Sequence, residues 1–211
     1  MTMLTGFTAG LLLITLSELG DKTFFIGAIL AMRYPRRWVF IGVMTALFAM
    51  TVLSVSMGQV ASIIPPHYVK WTAIALFLGF GGKLIYDAVR MPGGGGMGDE
   101  QAAALDAIQG QTPTKSVIHS GQAIVLKAFT LTFVAEWGDR TQFATVTLAA
   151  AHHPLGVTVG ATLGHAICAA IAILCGTFIA GNISERWLTG IGGGLFVVFG
   201  IITALDIVST I

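Results

Sequence analysis

The chain has 211 residues, 55% of them hydrophobic and only 10% charged, with a formal net charge of +1. Soluble proteins carry about 25% charged residues, and a mean hydropathy of +0.85 leaves too little polar surface to keep a fold of this size dissolved. The same composition excludes disorder, and the near-neutral charge gives no footing for a nucleic-acid partner. An all-α integral membrane protein is predicted, with the lipid bilayer as its solvent.

In chain order, six apolar stretches are long enough to cross about 30 Å of hydrocarbon. They run over 4–32, 38–63, 69–90, 121–150, 155–181 and 187–209. The first contains Glu18 and Asp21 and has no basic segment before it, so it reads as a working span rather than a cleaved leader. The breaks carry turn and charge signals at Arg33-Tyr-Pro-Arg-Arg37, Pro65-Pro66-His67, His152-His153-Pro154 and Asn182-Ile-Ser-Glu-Arg186. One connection is long: residues 92–120 open with glycines at 93–96 and include a helix-prone stretch at 101–108. The predicted organisation is a three-helix unit over 1–90, a linker over 91–120 and a second three-helix unit over 121–211. Cys168 and Cys175 are seven residues apart in one apolar stretch. That is about 10 Å of helical rise, too far for a disulfide, so both read as small buried thiols.

Orientation follows the basic residues. Arg33, Arg36, Arg37, Arg90, Lys115 and Arg186 follow the odd-numbered spans, against Lys70 alone on the other side. This puts the linker in the cytoplasm and both termini outside, with Lys83 and Lys127 near enough to the cytoplasmic side to snorkel.

The second unit repeats the first. Ser17-Glu-Leu-Gly-Asp-Lys-Thr23 returns as Ala135-Glu-Trp-Gly-Asp-Arg-Thr141, an offset of 118 residues that also aligns Phe25 with Phe143, Gly42 with Gly160, Gly58 with Gly176 and Gly82 with Gly200. A duplicated unit with an odd number of spans must enter the membrane from opposite sides. The predicted fold is therefore six transmembrane helices in two inverted repeats, an architecture that places a substrate site near the midplane of many secondary transporters.

Glu18, Asp21 and Lys22 lie mid-span in the first copy, and Glu136, Asp139 and Arg140 in the second. At about 2.5–3.5 kcal/mol each they would cost on the order of 15–20 kcal/mol unpaired, more than typical folding stability. They must pair, line a wet cavity, bind an ion or take up protons. Glu and Asp at i and i+3 sit about 60° apart on a helix, so each copy presents two carboxylates on one face, with the basic residue at i+4 from Glu beside them. The intervening glycine lets a backbone approach or the helix unwind. Four converging carboxylates with Lys22 and Arg140 as charge-tuning cations make a metal site of Glu18, Asp21, Glu136 and Asp139. A divalent cation entering it displaces the protons the empty site holds, which is the linkage behind cation/proton exchange. Oxygen ligands suit Mg²⁺, Ca²⁺ or Mn²⁺. Gln142, at i+3 from Asp139, adds an amide oxygen that its counterpart Phe24 lacks, whereas Thr23 and Thr141 at i+5 from Glu are turned about 140° away. The competing reading makes these charges internal salt bridges that lock the bundle.

Other polar residues carry weaker signals. His165, opposite Leu47 in the repeat, reads as a polar helix contact, and His152 and His153 as solvated loop residues. Lys83 and Asp87 are placed to pair with each other. Met44, Met50 and Met57 could offer sulfur to a metal, but read as apolar packing.

Two complete copies of Glu-x-Gly-Asp-Lys/Arg-Thr, Glu18-Leu-Gly-Asp-Lys-Thr23 and Glu136-Trp-Gly-Asp-Arg-Thr141, in a small six-span protein resemble the Golgi manganese/calcium–proton antiporter family, in particular its bacterial manganese-exporter branch. The resemblance covers both halves and leaves out the linker. It implies export of Mn²⁺, or Ca²⁺ in some members, in exchange for protons, with Glu18, Asp21, Glu136 and Asp139 as the acidic motif residues and no resident cofactor. Eukaryotic relatives carry an N-terminal extension not seen here, which points to the cell membrane of a bacterium. Two other readings compete: an exporter of basic amino acids whose acidic pairs hold an ammonium group, and an intramembrane metal-dependent hydrolase. The second lacks a zinc signature or a nucleophile beside a base, so no enzyme is predicted.

Overall fold

The computed structural model describes residues 2–91, 98–110, 120–182 and 185–208. Lys115, the glycines at 93–96, and Ile183 and Ser184 of the last break lie outside the described residues. Among the described residues there are nine helices and no strand: α1 (Met3–Glu18), α2 (Lys22–Arg33), α3 (Arg36–Ala61), α4 (Pro66–Arg90), α5 (Gly98–Gly110), α6 (Gly121–Glu136), α7 (Arg140–Ala151), α8 (Pro154–Asn182) and α9 (Glu185–Val208). Prolines mark three of the starts. Pro66 and Pro154 open α4 and α8 at the first helical position, where a missing N–H costs nothing, and Pro35 caps α3.

Four of these helices are long and apolar enough to cross a membrane, over Arg36–Ala61, His67–Arg90, Pro154–Cys175 and Arg186–Leu205. The expected first span is broken: α1 and α2 together pass the same test but are bent by 65°, giving five spans if the pair counts as one. The expected fourth span is likewise divided, into α6 and α7, and is not among those that pass. The polar run Arg140, Thr141, Gln142, Thr145 and Thr147 in α7 lowers its apolar character. Outward faces carry large apolar side chains such as Leu12, Phe48, Val52, Leu126, Leu163, Ile191 and Leu205, a surface suited to lipid.

Both breaks have one cause. Leu19 and Trp137 leave the helix with extended backbone, and Gly20 and Gly138 follow at φ 84° and 78°, the only positive values among the described residues. Asp21 and Asp139 then cap the next helix at φ −73°, ψ 167° and φ −74°, ψ 164°. Only glycine takes that left-handed turn without a Cβ penalty, so Glu-x-Gly-Asp encodes a helix break.

Packing is reciprocal at the repeat offset. α1 lies along α8 and α6 along α3, while α4 pairs with α9. A Cβ on Gly42 would meet the Val125 carbonyl oxygen at 2.6 Å, and one on Gly160 would collide with the Phe7 carbonyl. Gly42 and Gly160 are 118 residues apart, as are Phe7 and Val125. Small residues thus bring backbones together where apolar surface alone drives no association in lipid. Two cores result. Leu30, Val39 and Leu131 belong to one, and their counterparts Leu148, Val157 and Leu13 to the other.

The helix-prone stretch of the linker does more than tether. α5 buries Ala104 and Ile108 in the first core against α2, with Leu105 packed alongside and Asp106 outside. The corresponding place in the second half, between α1 and α7, holds a cavity of about 390 Å³, mainly apolar and lined by Ala9, Leu12, Phe77 and Leu148, with Lys70 and His152 also on its wall. His152 is therefore part of a cavity wall and only half-exposed, rather than a solvated loop residue. Both cysteines are free, and Cys168 is buried as expected, its thiol donating to the Thr15 carbonyl at 3.1 Å, but Cys175 is exposed. Lys83 and Asp87 pair at 2.7 Å, as their spacing foretold.

Candidate cation site

The two helix breaks bring the motif carboxylates together. Glu18 ends α1 and Glu136 ends α6, so the negative ends of two half-helices meet where α2 and α7 begin on Asp21 and Asp139. Such helix ends, with backbone freed from the ladder, are where discontinuous membrane helices hold cations. Glu18 is 2% exposed and Glu136 3%, whereas Asp139 is half-buried. One carboxylate oxygen from each of Glu18, Glu136 and Asp139 lies within 4.8 Å of the others, a spacing that one ion between them can span. Among the described residues, neither Glu18 Oε1 nor Glu136 Oε1 has a hydrogen-bond partner in the protein. A buried acceptor in that condition costs about 1–3 kcal/mol, which is a reason to expect a ligand rather than a structural role.

Asp21, the fourth expected carboxylate, is engaged differently. Its Oδ1 accepts from Arg140 Nη2 at 2.6 Å, a pair that ties the α2 start to the α7 start. Arg140 thus serves the carboxylate of the other motif copy. Lys22, its counterpart, is half-buried and makes no ion pair among the described residues.

Two threonines set aside on helical geometry do join the site. Thr23 Oγ1 donates to Glu18 Oε2 at 3.2 Å, and Thr141 Oγ1 lies 3.4 Å from Glu136 Oε2 and 3.3 Å from Asp139 Oδ2. An offset of about 140° holds only on an unbroken helix, and the turn at glycine swings both threonines back. Gln142 uses its amide oxygen to accept the Gly138 N–H at 2.7 Å, closing the second break, while its side chain also lines a small chamber beside Glu136. That chamber, about 10 Å³, is bounded further by Met50, Thr51, Ser54, Thr145 and His165. Of Met44, Met50 and Met57 on α3, Met50 alone lines it. A second small cavity of about 20 Å³ lies on the Asp21–Arg140 side, with Ser17 and Gly20 in its wall. The sequence signal for the hydroxyl lining was there to find: Thr51 and Ser54 stand about one turn apart in the apolar α3, and Thr141 and Thr145 one turn apart in the polar run of α7.

The family described as divalent cation/proton antiporter GDT1 matches this chain twice, over residues 6–92 and 124–210. A GDT1-like protein of the cyanobacterium Synechocystis is 54% identical over 201 residues, covering 95% of this chain and 97% of its own length. GDT1-like protein 5 of Arabidopsis thaliana is 41% identical, with 95% of each chain covered. The chloroplastic GDT1-like protein 2 of rice is 40% identical over 94% of this chain, which spans only 60% of that longer protein. No solved structure matches the chain.

Proposed function

This chain belongs to the divalent cation/proton antiporter family GDT1, and from that premise we propose that it exports Mn²⁺, with Ca²⁺ as the other candidate cargo, in exchange for protons at one carboxylate site. The metal-binding residues are Glu18, Asp21, Glu136 and Asp139 with Gln142 beside them, and Lys22 and Arg140 tune the charge. The observation that carries this reading is the convergence of Glu18, Glu136 and Asp139 oxygens within 4.8 Å, from helix ends in both halves. Carboxylate oxygens gathered that closely repel one another, and a cation or a proton among them relieves the repulsion. They exchange protons for metal as a matter of linkage, and apparent metal affinity rises with pH because fewer protons compete.

In this reading the broken helices α1–α2 and α6–α7 are the first and fourth of six spans. Residues 1–90 and 121–211 form inverted three-helix repeats about a midplane site, with 91–120 as a cytoplasmic linker. The reciprocal contacts of Gly42 and Gly160 and the paired cores support it. The excess of arginine after odd-numbered spans supports an orientation with both termini outside, in a protein we place in the cell membrane. The cavities touching the motif carboxylates, about 10 and 20 Å³, are of a size to hold an ion or a water. They are too small for a basic amino acid, so the metal reading is preferred.

The test is flux into proteoliposomes with and without an imposed pH gradient, Mn²⁺ against Ca²⁺, wild type beside Glu18→Gln. Gradient-driven metal movement that disappears in the variant is the expected result. Equal flux in the variant refutes the site, and no flux of either ion from folded protein refutes the cargo.

A further inference from the structure

The chamber beside Glu136 has a composition that neither the motif nor the repeat requires. Its walls bring one carboxylate, Glu136, together with the His165 imidazole and the hydroxyls of Thr51, Ser54 and Thr145. Each of those hydroxyls spends its hydrogen on its own helix: Thr51 Oγ1 donates to the Leu47 carbonyl at 2.8 Å, Ser54 Oγ to Met50 at 2.7 Å and Thr145 Oγ1 to Thr141 at 2.8 Å. What each oxygen has left is lone pairs. His165 is 5% exposed, and its Nδ1 has no hydrogen-bond partner among the described residues. A buried imidazole nitrogen left unpaired in an apolar segment is costly. The volume, about 10 Å³, is that of a single water-sized species.

The repeat makes the chamber more telling. At the 118-residue offset His165 corresponds to Leu47, Thr51 to Ala169, Ser54 to Ala172 and Thr145 to Gly27. Every polar wall residue outside the motif is apolar in the other half, so duplication did not supply this feature. Among the described residues it exists on one side of the carboxylate cluster only, and Glu136 belongs to both.

We propose that this chamber is a second position for the transported cation, in which His165 adds a nitrogen donor to Glu136 and the three hydroxyl oxygens, and that this nitrogen selects a first-row transition ion such as Mn²⁺ over Ca²⁺ and Mg²⁺. The proposal rests on the carboxylate-site reading above and deepens it. Ca²⁺ takes 6–8 oxygen ligands and Mg²⁺ a nearly ideal oxygen octahedron, whereas first-row transition ions take an imidazole nitrogen more readily than either, Mn²⁺ the least strongly among them. A cation moving between the three-carboxylate cluster and the chamber keeps Glu136 as a ligand throughout, and only an ion that accepts nitrogen is well held at the second position.

Purified protein in nanodiscs, loaded with substoichiometric Mn²⁺ and examined by electron spin echo envelope modulation, reads the nitrogen directly. The expected result is ¹⁴N modulation in the wild type that converts to ¹⁵N on histidine labelling and is lost in His165→Leu, with Mn²⁺ still bound. Leucine is what the first half carries at the equivalent position, and His165→Gln gives a second variant that keeps a polar group. In competition flux, the excess of Ca²⁺ needed to halve Mn²⁺ transport falls by about tenfold or more in either variant, since even groups behind the ligands are worth about 10–100-fold in metal affinity. Bound Mn²⁺ without ¹⁴N modulation in the wild type, or modulation that survives His165→Leu, overturns the proposal and leaves the carboxylate site standing. Mn²⁺ binding unchanged by Glu18→Gln and Glu136→Gln overturns the underlying reading, and the proposal with it.

Discussion

The Asp21–Arg140 contact joins the two halves, and a double-mutant cycle tests it. The two atoms are 2.6 Å apart, with Asp21 6% exposed and the Arg140 side chain 24% exposed. At an effective dielectric of about 20 and a charge separation of about 4 Å the attraction is about 4 kcal/mol. Solvent screening at the quarter-exposed guanidinium reduces the expected coupling to about 2–3 kcal/mol. Arg140→Gln leaves a buried carboxylate without this partner and should cost about 2–4 kcal/mol, towards the lower end of the range for broken buried pairs. Asp21→Asn should cost less, about 1–2 kcal/mol, because the arginine can carry its head toward water along its stem. Both residues take part in further interactions, which is why the cycle and not a single substitution is the right measurement.

The assay is equilibrium unfolding in mild detergent followed by tryptophan fluorescence, for which Trp137, beside the second break, is a local reporter. The double variant should fall short of the summed single costs by about 2–3 kcal/mol. Additivity to within about 0.5 kcal/mol would refute the pairing. Lys22→Gln in the same assay should stay within about 0.5 kcal/mol of wild type, as for a residue that makes no buried pair.

Gly138→Ala should destabilise the fold by about 1–2 kcal/mol from backbone strain alone. The new Cβ meets nothing within 4 Å at φ 78°, so an unchanged melting temperature would mean that the break is not held in this conformation. Ile108→Ala should cost about 2 kcal/mol or more in thermal unfolding while Asp106→Ala stays near zero, because one faces the core and the other the outside. Equal effects would show that α5 does not pack as described. Thr141→Val should weaken Mn²⁺ binding by about fivefold, the value of one net hydrogen bond to the carboxylates, measured by metal titration in nanodiscs; unaltered affinity would remove this hydroxyl from the site.

Much of this was legible in residue types and spacing. Membrane character followed from the scarcity of charge, and the family from the doubled Glu-x-Gly-Asp. The gathering of Glu18, Glu136 and Asp139 followed from the cost of leaving charges unpaired in hydrocarbon. What stayed hidden had a tertiary cause each time. A 65° bend depends on Gly20 taking a positive φ, which sequence permits but does not announce. Once bent, the helix no longer obeys the angular rule that excluded Thr23 and Thr141. Arg140 reaches the carboxylate 119 residues away in the other motif copy, because the second helix start faces the first. The helix-prone composition of 101–108 is legible in the sequence, but the burial of α5 needs Ala104, Leu105 and Ile108 to find a groove between elements distant in sequence.

The departures from the repeat say more about the chemistry than the repeat does. Duplication alone supplies the two Glu-Gly-Asp turns and hence the carboxylates. Where the halves differ, Arg140 stands for Lys22, Gln142 for Phe24, His165 for Leu47, and Thr51 and Ser54 for Ala169 and Ala172. These residues come from three helices and both halves, yet Gln142, His165, Thr51 and Ser54 all border the chamber beside Glu136, and Arg140 closes the opposite side by holding Asp21. A symmetric site would hold its cation equally on both sides. Arg140 repels a cation on the Asp21 side while lone pairs gather on the Glu136 side, so the electrostatic field across the cluster has a direction. In the proposed reading, a divalent ion at the cluster is held more closely by Glu136 than by Asp21, because Asp21 Oδ1 already accepts from Arg140.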